Sequence, residues 1–335
     1  MDPELELFVK VWLTAVGSLV YCRQIAGRIP GGPARLLAVL PAVYLFIALP
    51  FQLSVVVLGA PTVFYLGWLA NFKLLLFAFG AGRLAAEPPL SLVEFVAVGL
   101  LPVQKSKGAE SSPGNRFRLV LESVALAAIL WLSSYREFIH PNVMLILYGG
   151  TIGLCLDLMF AVTSVAVRAA VGMELEPQFD RPYLATSLQD FWGRRWNLIV
   201  TGILRPSVYL PVRRFTAPYA GEKLALAAAI LATFAVSGLM HEFIFFYLTS
   251  RATPTWEVTC FFLLHGFCVV LEDQMKRGGV RRLPVGASRI STLGFVGMTG
   301  AWLFFPQLIN YGVALKGIEE CLTAIAYVRD RMMVM

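Results

Sequence analysis

Charge is scarce in this chain: only 15% of its 335 residues are Asp, Glu, Lys or Arg, against about 25% in a soluble domain. That shortage excludes an ordinary water-soluble enzyme. Most catalytic signatures are missing as well. No Gly-x-Ser-x-Gly elbow is present, which disfavours a serine hydrolase. Neither a phosphate-binding P-loop nor a dinucleotide fingerprint occurs. His-x-x-Glu-His zinc sites and the His-His-x-x-x-Asp and His-x-x-x-Asp signatures are absent too. The five cysteines, Cys22, Cys155, Cys260, Cys268 and Cys321, form no Cys-x-x-Cys pair, and several lie in apolar runs. They read as packing residues rather than metal ligands or disulfides, so neither a metal nor a cofactor is expected. The acidic start, Met1-Asp-Pro-Glu-Leu-Glu6, lacks a basic leader, so the first helix is expected to be retained. No internal repeat is visible.

Hydrophobic residues make up 58% of the chain, and mean hydropathy is +0.70. Apolar runs of about 18 residues recur, the length that crosses a bilayer as a helix. The expected fold is all-α: a polytopic membrane bundle of about eight transmembrane helices plus a re-entrant or interfacial segment, with residues 1–335 as a single membrane-embedded domain. The spans are placed at Leu5 to Val20, Leu36 to Leu58, Thr62 to Gly82, Leu119 to Ser134, Val143 to Val167, Leu224 to Leu248, Thr255 to Leu271 and Ile290 to Ala314. Pro41 and Pro50 are expected to kink the second, and Gly59-Ala-Pro61 to make a tight connection to the third. Pro88 to Pro102 is too short to cross. Gln104 to Arg118 reads as a solvated basic loop, and Lys316 to Met335 as an amphipathic tail.

The net charge is +7, carried in loops. Dispersed between spans, it points to cytosolic loops near anionic headgroups or to an anionic substrate, not to nucleic acid. With a luminal N-terminus, the positive-inside rule places Arg23, Arg28, Arg35, Lys105, Lys107, Arg116, Arg118, the arginines of 181–214 and the cluster Lys276, Arg277, Arg281, Arg282 and Arg289 on the cytosolic side. That asymmetry requires Pro88 to Pro102 not to cross.

The chemistry-bearing stretch is 168–245. It holds Ser187-Leu-Gln-Asp-Phe-Trp-Gly-Arg-Arg-Trp-Asn197, Arg205-Pro-Ser-Val-Tyr209 and Ser237-Gly-Leu-Met-His-Glu242, and the part from Arg168 to Glu222 is too polar to cross as a simple helix. Of the three histidines, His140 reads as a loop residue. His241 and His265 fall in a helical hairpin turning near Ala252 and are expected at similar depth. An ionisable side chain inside a membrane is a functional candidate by default. A neutral His241, beside Glu242 and one turn after Ser237, can take a proton from a hydroxyl. Asn197 has an amide that can stabilise a developing oxyanion or orient an acceptor. Other readings stay open: His265 as a packing residue, and Trp192, Trp196 and Asn197 as an interfacial belt. Arg194, Arg195, Arg205, Arg213 and Arg214 can hold phosphates or serve as a positive-inside anchor. Asp157 and Asp190, if buried, need partners such as arginine.

These motifs resemble the membrane-bound O-acyltransferase superfamily and, within it, the plant wax-synthase branch. The first block is similar to that branch's Asp-Phe-Trp-x-Arg-Arg-Trp-(Asn or His) element, and the last to the superfamily's buried histidine in an apolar helix. The resemblance implies catalytic roles for His241 as base and Asn197 as its partner. It implies a substrate site shaped by Asp190, Trp192, Arg194, Arg195, Trp196, Ser237, Glu242 and His265. It also implies a tunnel through the bundle, with acyl-CoA entering from the cytosol, a lipophilic alcohol entering from the bilayer, and the endoplasmic reticulum as the location. A long-chain fatty alcohol is the expected acceptor, with sterol or diacylglycerol as the alternative. Two rivals of other classes are a transporter using Lys73, Asp157 and the histidines as a polar path, and a non-catalytic lipid-binding scaffold.

Overall fold

The structure is a computed structural model describing residues 3–102, 113–172, 178–279 and 283–333. Much of the basic loop expected at Gln104 to Arg118, including Lys105 and Lys107, lies outside the described residues, as do Arg281 and Arg282. Among the described residues there are helices and no strand. Seven are long and apolar enough to cross a membrane: Pro3–Arg28, Pro33–Gln52, Val56–Ala85, Leu147–Ala169, Leu198–Leu248, Glu257–Arg277 and Val285–Asn310. An eighth apolar helix, Leu119–Ser133, is shorter. The all-α polytopic bundle read from the sequence is therefore the fold.

The chain opens with α1 (Pro3–Gln24) and α2 (Pro33–Ala48). Next come α3 (Val56–Thr62), a π-helical stretch Val63–Ala70 and α4 (Asn71–Ala78), which follow one another directly. Here the structure corrects the sequence reading. The second span ends at Gln52, and Gly59-Ala-Pro61 is helix, not turn. Gly59 is needed for close approach rather than for bending: a Cβ there would lie 1.7 Å from the Tyr247 hydroxyl, which donates to the Leu53 carbonyl at 3.0 Å. Pro61 has no N–H for the usual bond to Val57, and the wide π turns begin two residues later.

The N-terminus of α3 has no polar cap of its own, since Val55 stands at that position. Four successive amides there are satisfied from the two ends of the chain. Glu4 accepts from Ser54 and Val55 at 2.6 and 3.0 Å, and Glu320 from Val56 and Val57 at 3.0 and 2.9 Å. Carboxylates at a helix start meet both the orphan donors and the dipole. Glu320 lies on the last helix, Val313–Met333, so the amphipathic tail docks on the bundle.

Next is α5 (Leu92–Leu100), opened by a Ser91/Glu94 capping box. At 1.5 Å per residue its nine residues span ~14 Å, too little to cross. Phe95 and Val98 are buried in the core that also holds Leu19 of α1. Lys73 closes its C-terminus, donating to the Val98 and Leu101 carbonyls at 2.7 and 2.6 Å. That assignment removes Lys73 from any polar transport path. Lys73→Met is expected to lower the thermal midpoint of the purified protein, since it frees two helix-end carbonyls.

After α6 (Pro113–Ser133) and α7 (Pro141–Val171) come the short α8 (Leu188–Asp190) and α9 (Leu198–Leu204). Then follow α10 (Leu210–Leu248), α11 (Glu257–Arg277), α12 (Val285–Thr299), α13 (Phe305–Asn310) and α14 (Val313–Met333). The stretch from Leu198 to Leu248 contains 51 residues, or ~76 Å as a straight helix, more than twice a bilayer core. It cannot be one crossing. Gly221, at φ 75° and ψ 164°, breaks it inside α10, and the segment beyond it reaches ~40 Å, enough to span.

Candidate active site

Two glycines let α10 and α11 pack as a tight hairpin. A Cβ at Gly238 would sit 3.0 Å from the Thr259 Cα, and one at Gly266 would sit 2.9 Å from the Phe234 Cβ. Glu242 pins the same hairpin. It is 4% exposed, and its Oε1 accepts from the Thr259 amide in the first turn of α11 at 3.2 Å, a carboxylate on orphan helix-start donors. The Phe234–Gly266 register sets His241 level with Thr259. His265 lies six residues on, ~9 Å away along the axis, so the two imidazoles are not at similar depth as the sequence suggested. The connection between the two helices runs from Thr249 to Trp256 and includes Ala252, where the turn was expected.

His241 bonds through Nδ1 to the Ser237 carbonyl one turn back, at 2.7 Å. A carbonyl only accepts, so Nδ1 carries the proton and Nε2 keeps its lone pair. Aromatic rings enclose the imidazole: Phe262 at 4.4 Å between centroids, Trp68 at 5.1 Å and Phe304 at 5.6 Å. The half-buried imidazole is thus set among apolar walls, with a lone pair able to accept a proton.

A cavity of about 270 Å³ approaches this centre. Its polar end holds Gln189, Arg205 and Asp273; its other end holds Trp192, Phe234, Ser237 and Phe262. Along α10 it runs from Leu226 to Ser237, ~16 Å. The residue whose carbonyl orients His241 therefore lines the inner end of the cavity. Of the five arginines singled out, Arg205 is the one in the lining. Arg213 is paired with Glu222 at 2.9 Å, and Arg195 with Asp190 at 2.8 Å.

The motif Ser187 to Asn197 braces one wall. Ser187 caps α8 by accepting from the Asp190 amide at 3.1 Å. Arg195 bonds Asp190 and also donates to the Asp180 carbonyl at 3.1 Å, tying the preceding loop to the motif. Burial alone would raise the Asp190 carboxyl, but the Arg195 and Thr186 hydrogen bonds and the charges of Arg195 and Arg194 together hold it below its ordinary value. Stability from this depressed group is complete above pH ~4 and fades as pH falls through the lower folded pKa. Arg194 is exposed. Trp196 stacks on Phe191 at 5.4 Å and 14°. Asn197 takes φ 42° and caps α9, its Oδ1 accepting from the Val200 amide at 3.4 Å. Left-handed backbone suits Asn better than most residues. None of the ring or hydrogen-bond neighbours of His241 described above is Asn197; the structure brings Ser237 to the imidazole instead.

Trp192 and His265 meet directly. The indole N–H donates to His265 Nδ1 at 3.0 Å, and His265 Nε2 contacts Thr299 Oγ at 2.8 Å. With both nitrogens engaged and no exposure, His265 is a satisfied interior histidine, not a free base.

Several residues at the centre carry no sequence motif. Trp68, Thr233, Phe262 and Phe304 lie in plain apolar or mixed runs. One signal could have found some of them. Four wide π-helical segments occur among the described residues, Val63–Ala70, Phe191–Arg195, Arg205–Tyr209 and Gly300–Phe304. Each delivers a side chain to the cavity or to His241: Trp68, Trp192, Arg205 with Tyr209, and Phe304. Three of the four sit within two residues of a proline, Pro61, Pro206 or Pro306. A proline ring inside a helix crowds the carbonyl four residues back, and a widened turn relieves it.

The comparisons agree with this architecture. A family model described as the membrane bound O-acyl transferase family matches residues 175–264, which hold the motif, α10 and the first part of α11. The long-chain-alcohol O-fatty-acyltransferase of Simmondsia chinensis is 45% identical, over 99% of this chain and 98% of its own length. Probable long-chain-alcohol O-fatty-acyltransferase 3 of Arabidopsis thaliana is 40% identical over 100% and 99%. Acyl-CoA–sterol O-acyltransferase 1 of Arabidopsis thaliana is 41% identical over 93% of each. With a cavity reaching Ser237, whose carbonyl orients His241, inside a membrane bundle, and identity at this level along the whole length, the chain belongs to the membrane-bound O-acyltransferase family.

Proposed function

We propose that this protein transfers a fatty acyl group from acyl-CoA to a long-chain fatty alcohol, giving a wax ester. The observation that carries the mechanism is the bond from His241 Nδ1 to the carbonyl of Ser237, a residue that lines the cavity, which leaves Nε2 as the basic atom. Nε2 takes the hydroxyl proton, and the alcohol oxygen forms a bond to the thioester carbonyl carbon. The carbon–sulfur bond breaks, and the leaving thiolate receives the proton held on Nε2. The Ser237 carbonyl stabilises the imidazolium while it carries that proton. No acyl-enzyme forms. Asn197 keeps Oδ1 on its helix cap, leaving the amide Nδ2 hydrogens to donate to the reacting oxygen. Trp192 and Ser237 form the wall along which the acyl donor lies. Asp190, Arg195, Trp196 and Glu242 hold that wall in shape, and Arg194 adds positive charge near its outer edge.

The cavity's polar end suits the phosphates of coenzyme A, with Arg205 as their partner. On this reading the motif region faces the cytosol, which the basic loops support, and the protein resides in the endoplasmic reticulum with the alcohol arriving from the bilayer. Arg205→Ala is expected to raise KM for acyl-CoA about tenfold, the effect of losing one charged hydrogen bond. Arg213→Ala, whose side chain is already paired, is expected to change it less than about twofold. Sterol remains the second reading, favoured by the sterol acyltransferase relative at 41% identity. Microsomes given one labelled acyl-CoA with hexadecanol, a sterol or diacylglycerol decide between acceptors: the reading expects label in wax ester, and label confined to sterol ester or triacylglycerol overturns it.

A further inference from the structure

His265 is buried without exposure, yet it has no place in the proton transfers above. Its bonds define what it does. The Trp192 indole can only donate, so His265 Nδ1 must hold a lone pair and the ring proton must sit on Nε2. Nε2–H then donates to Thr299 Oγ at 2.8 Å, and the Thr299 hydroxyl donates to the Phe295 carbonyl at 2.7 Å. Every donor in this chain points the same way, and it ends on a backbone carbonyl. Only the neutral Nε2–H tautomer satisfies all three bonds.

The two ends of the chain matter for the site. Trp192 lines the cavity and packs against Phe262 at 5.6 Å, whose ring lies 4.4 Å from His241. Thr299 immediately precedes the wide segment Gly300–Phe304, and Phe304 is a second ring against His241. Trp192 comes from a motif 73 positions from His265, and Thr299 from another helix. One imidazole thus joins the roots of two walls around the reacting centre.

We propose that His265 is a positioning residue: through the Trp192 indole and Thr299 it fixes the walls that align the acyl donor with His241. The inference rests on the acyl-transfer reading for its kinetic effect, and on the hydrogen bonds alone for its spectroscopic one. Loss of the bond frees the indole to rotate, and misalignment of about 1 Å at a reacting centre costs up to about a hundredfold in rate.

The test uses the full-length protein in detergent or proteoliposomes, with four variants. His265→Leu removes both bonds and is expected to lower kcat about tenfold with KM for acyl-CoA changed less than about threefold. His265→Gln, whose amide can accept from Trp192 and donate to Thr299, is expected to recover kcat to within about threefold of wild type. Thr299→Val removes only the outer partner and tests the relay if His265→Leu does not accumulate; it is expected to lower kcat about threefold. In a Trp192→Phe background, His265→Leu is expected to add less than about a twofold further loss, because its target is gone. The activity-independent readout is the Trp192 indole N–H resonance in ¹⁵N-labelled protein, assigned by its disappearance in Trp192→Phe. It should shift upfield in His265→Leu and stay near its wild-type position in His265→Gln. Three results overturn the proposal: an unchanged resonance in His265→Leu, His265→Gln as impaired as His265→Leu, or an equal loss with and without Trp192. If the wild type transfers no acyl group, the functional reading fails, while the resonance still decides whether His265 holds Trp192.

Discussion

Changing His241 to Ala is expected to lower acyl transfer at least about a thousandfold, the upper range for removing a general base, while the protein still inserts and elutes as the wild type does. The size of the effect follows from the site's composition. The rings packed on the imidazole, Trp68, Phe262 and Phe304, offer no base to replace it. His265, the other interior histidine, has both nitrogens engaged and lies ~9 Å along the helix axis. Labelled palmitoyl-CoA with hexadecanol, followed by separation of wax ester, measures the loss. A variant retaining a tenth of wild-type turnover would show that another group takes the proton.

Asn197→Asp is the second large effect. Oδ1 of Asn197 caps α9 through the Val200 amide, and under the proposed mechanism its Nδ2 donates to the reacting oxygen. Aspartate is as good a helix cap and tolerates the φ of 42° found here, but it cannot donate. The expected result is a loss in kcat of about a hundredfold, the effect of removing one oxyanion donor, with the thermal midpoint unchanged or raised. Asn197→Ala is expected to lose both activity and about 1 kcal/mol of stability. If Asn197→Asp turns over like wild type, Asn197 is a cap and nothing more, and the oxyanion donor lies elsewhere.

The bundle itself was legible because bilayer thickness dictates the length of each apolar run: seven described helices are long and apolar enough to cross, and the expected second span overruns its helix, which ends at Gln52. The inability of Pro88 to Pro102 to cross was legible for the same reason. Gly59 and Pro61 misled because their usual meaning is a turn. Here one makes room for the Tyr247 hydroxyl and the other sits where helix turns widen, facts that depend on helices distant in sequence. His241 stood out because an imidazole in an apolar run is rare. Its ring neighbours Trp68 and Phe304 did not, since aromatic residues in such runs are ordinary. The hairpin register needed Gly238 and Gly266 seen against their partners, and counting from the turn put His265 too near His241. The Trp192–His265 bond joins two motifs through tertiary packing alone, which local spacing does not encode. The resemblance implies Asp190 and Arg195 as substrate-site residues; their observed contact is with each other.

The central claim is that acyl-CoA lies along the cavity from Arg205 to Ser237 and presents its thioester to His241 Nε2. A structure of the protein with a bound thioether analogue of acyl-CoA tests this most directly. The account predicts phosphate oxygens at Arg205, the pantetheine arm passing Trp192, and the analogue's sulfur-bearing carbon beside His241 Nε2, with Nδ1 still on the Ser237 carbonyl. An analogue bound outside this cavity, or with its sulfur remote from His241, would contradict it.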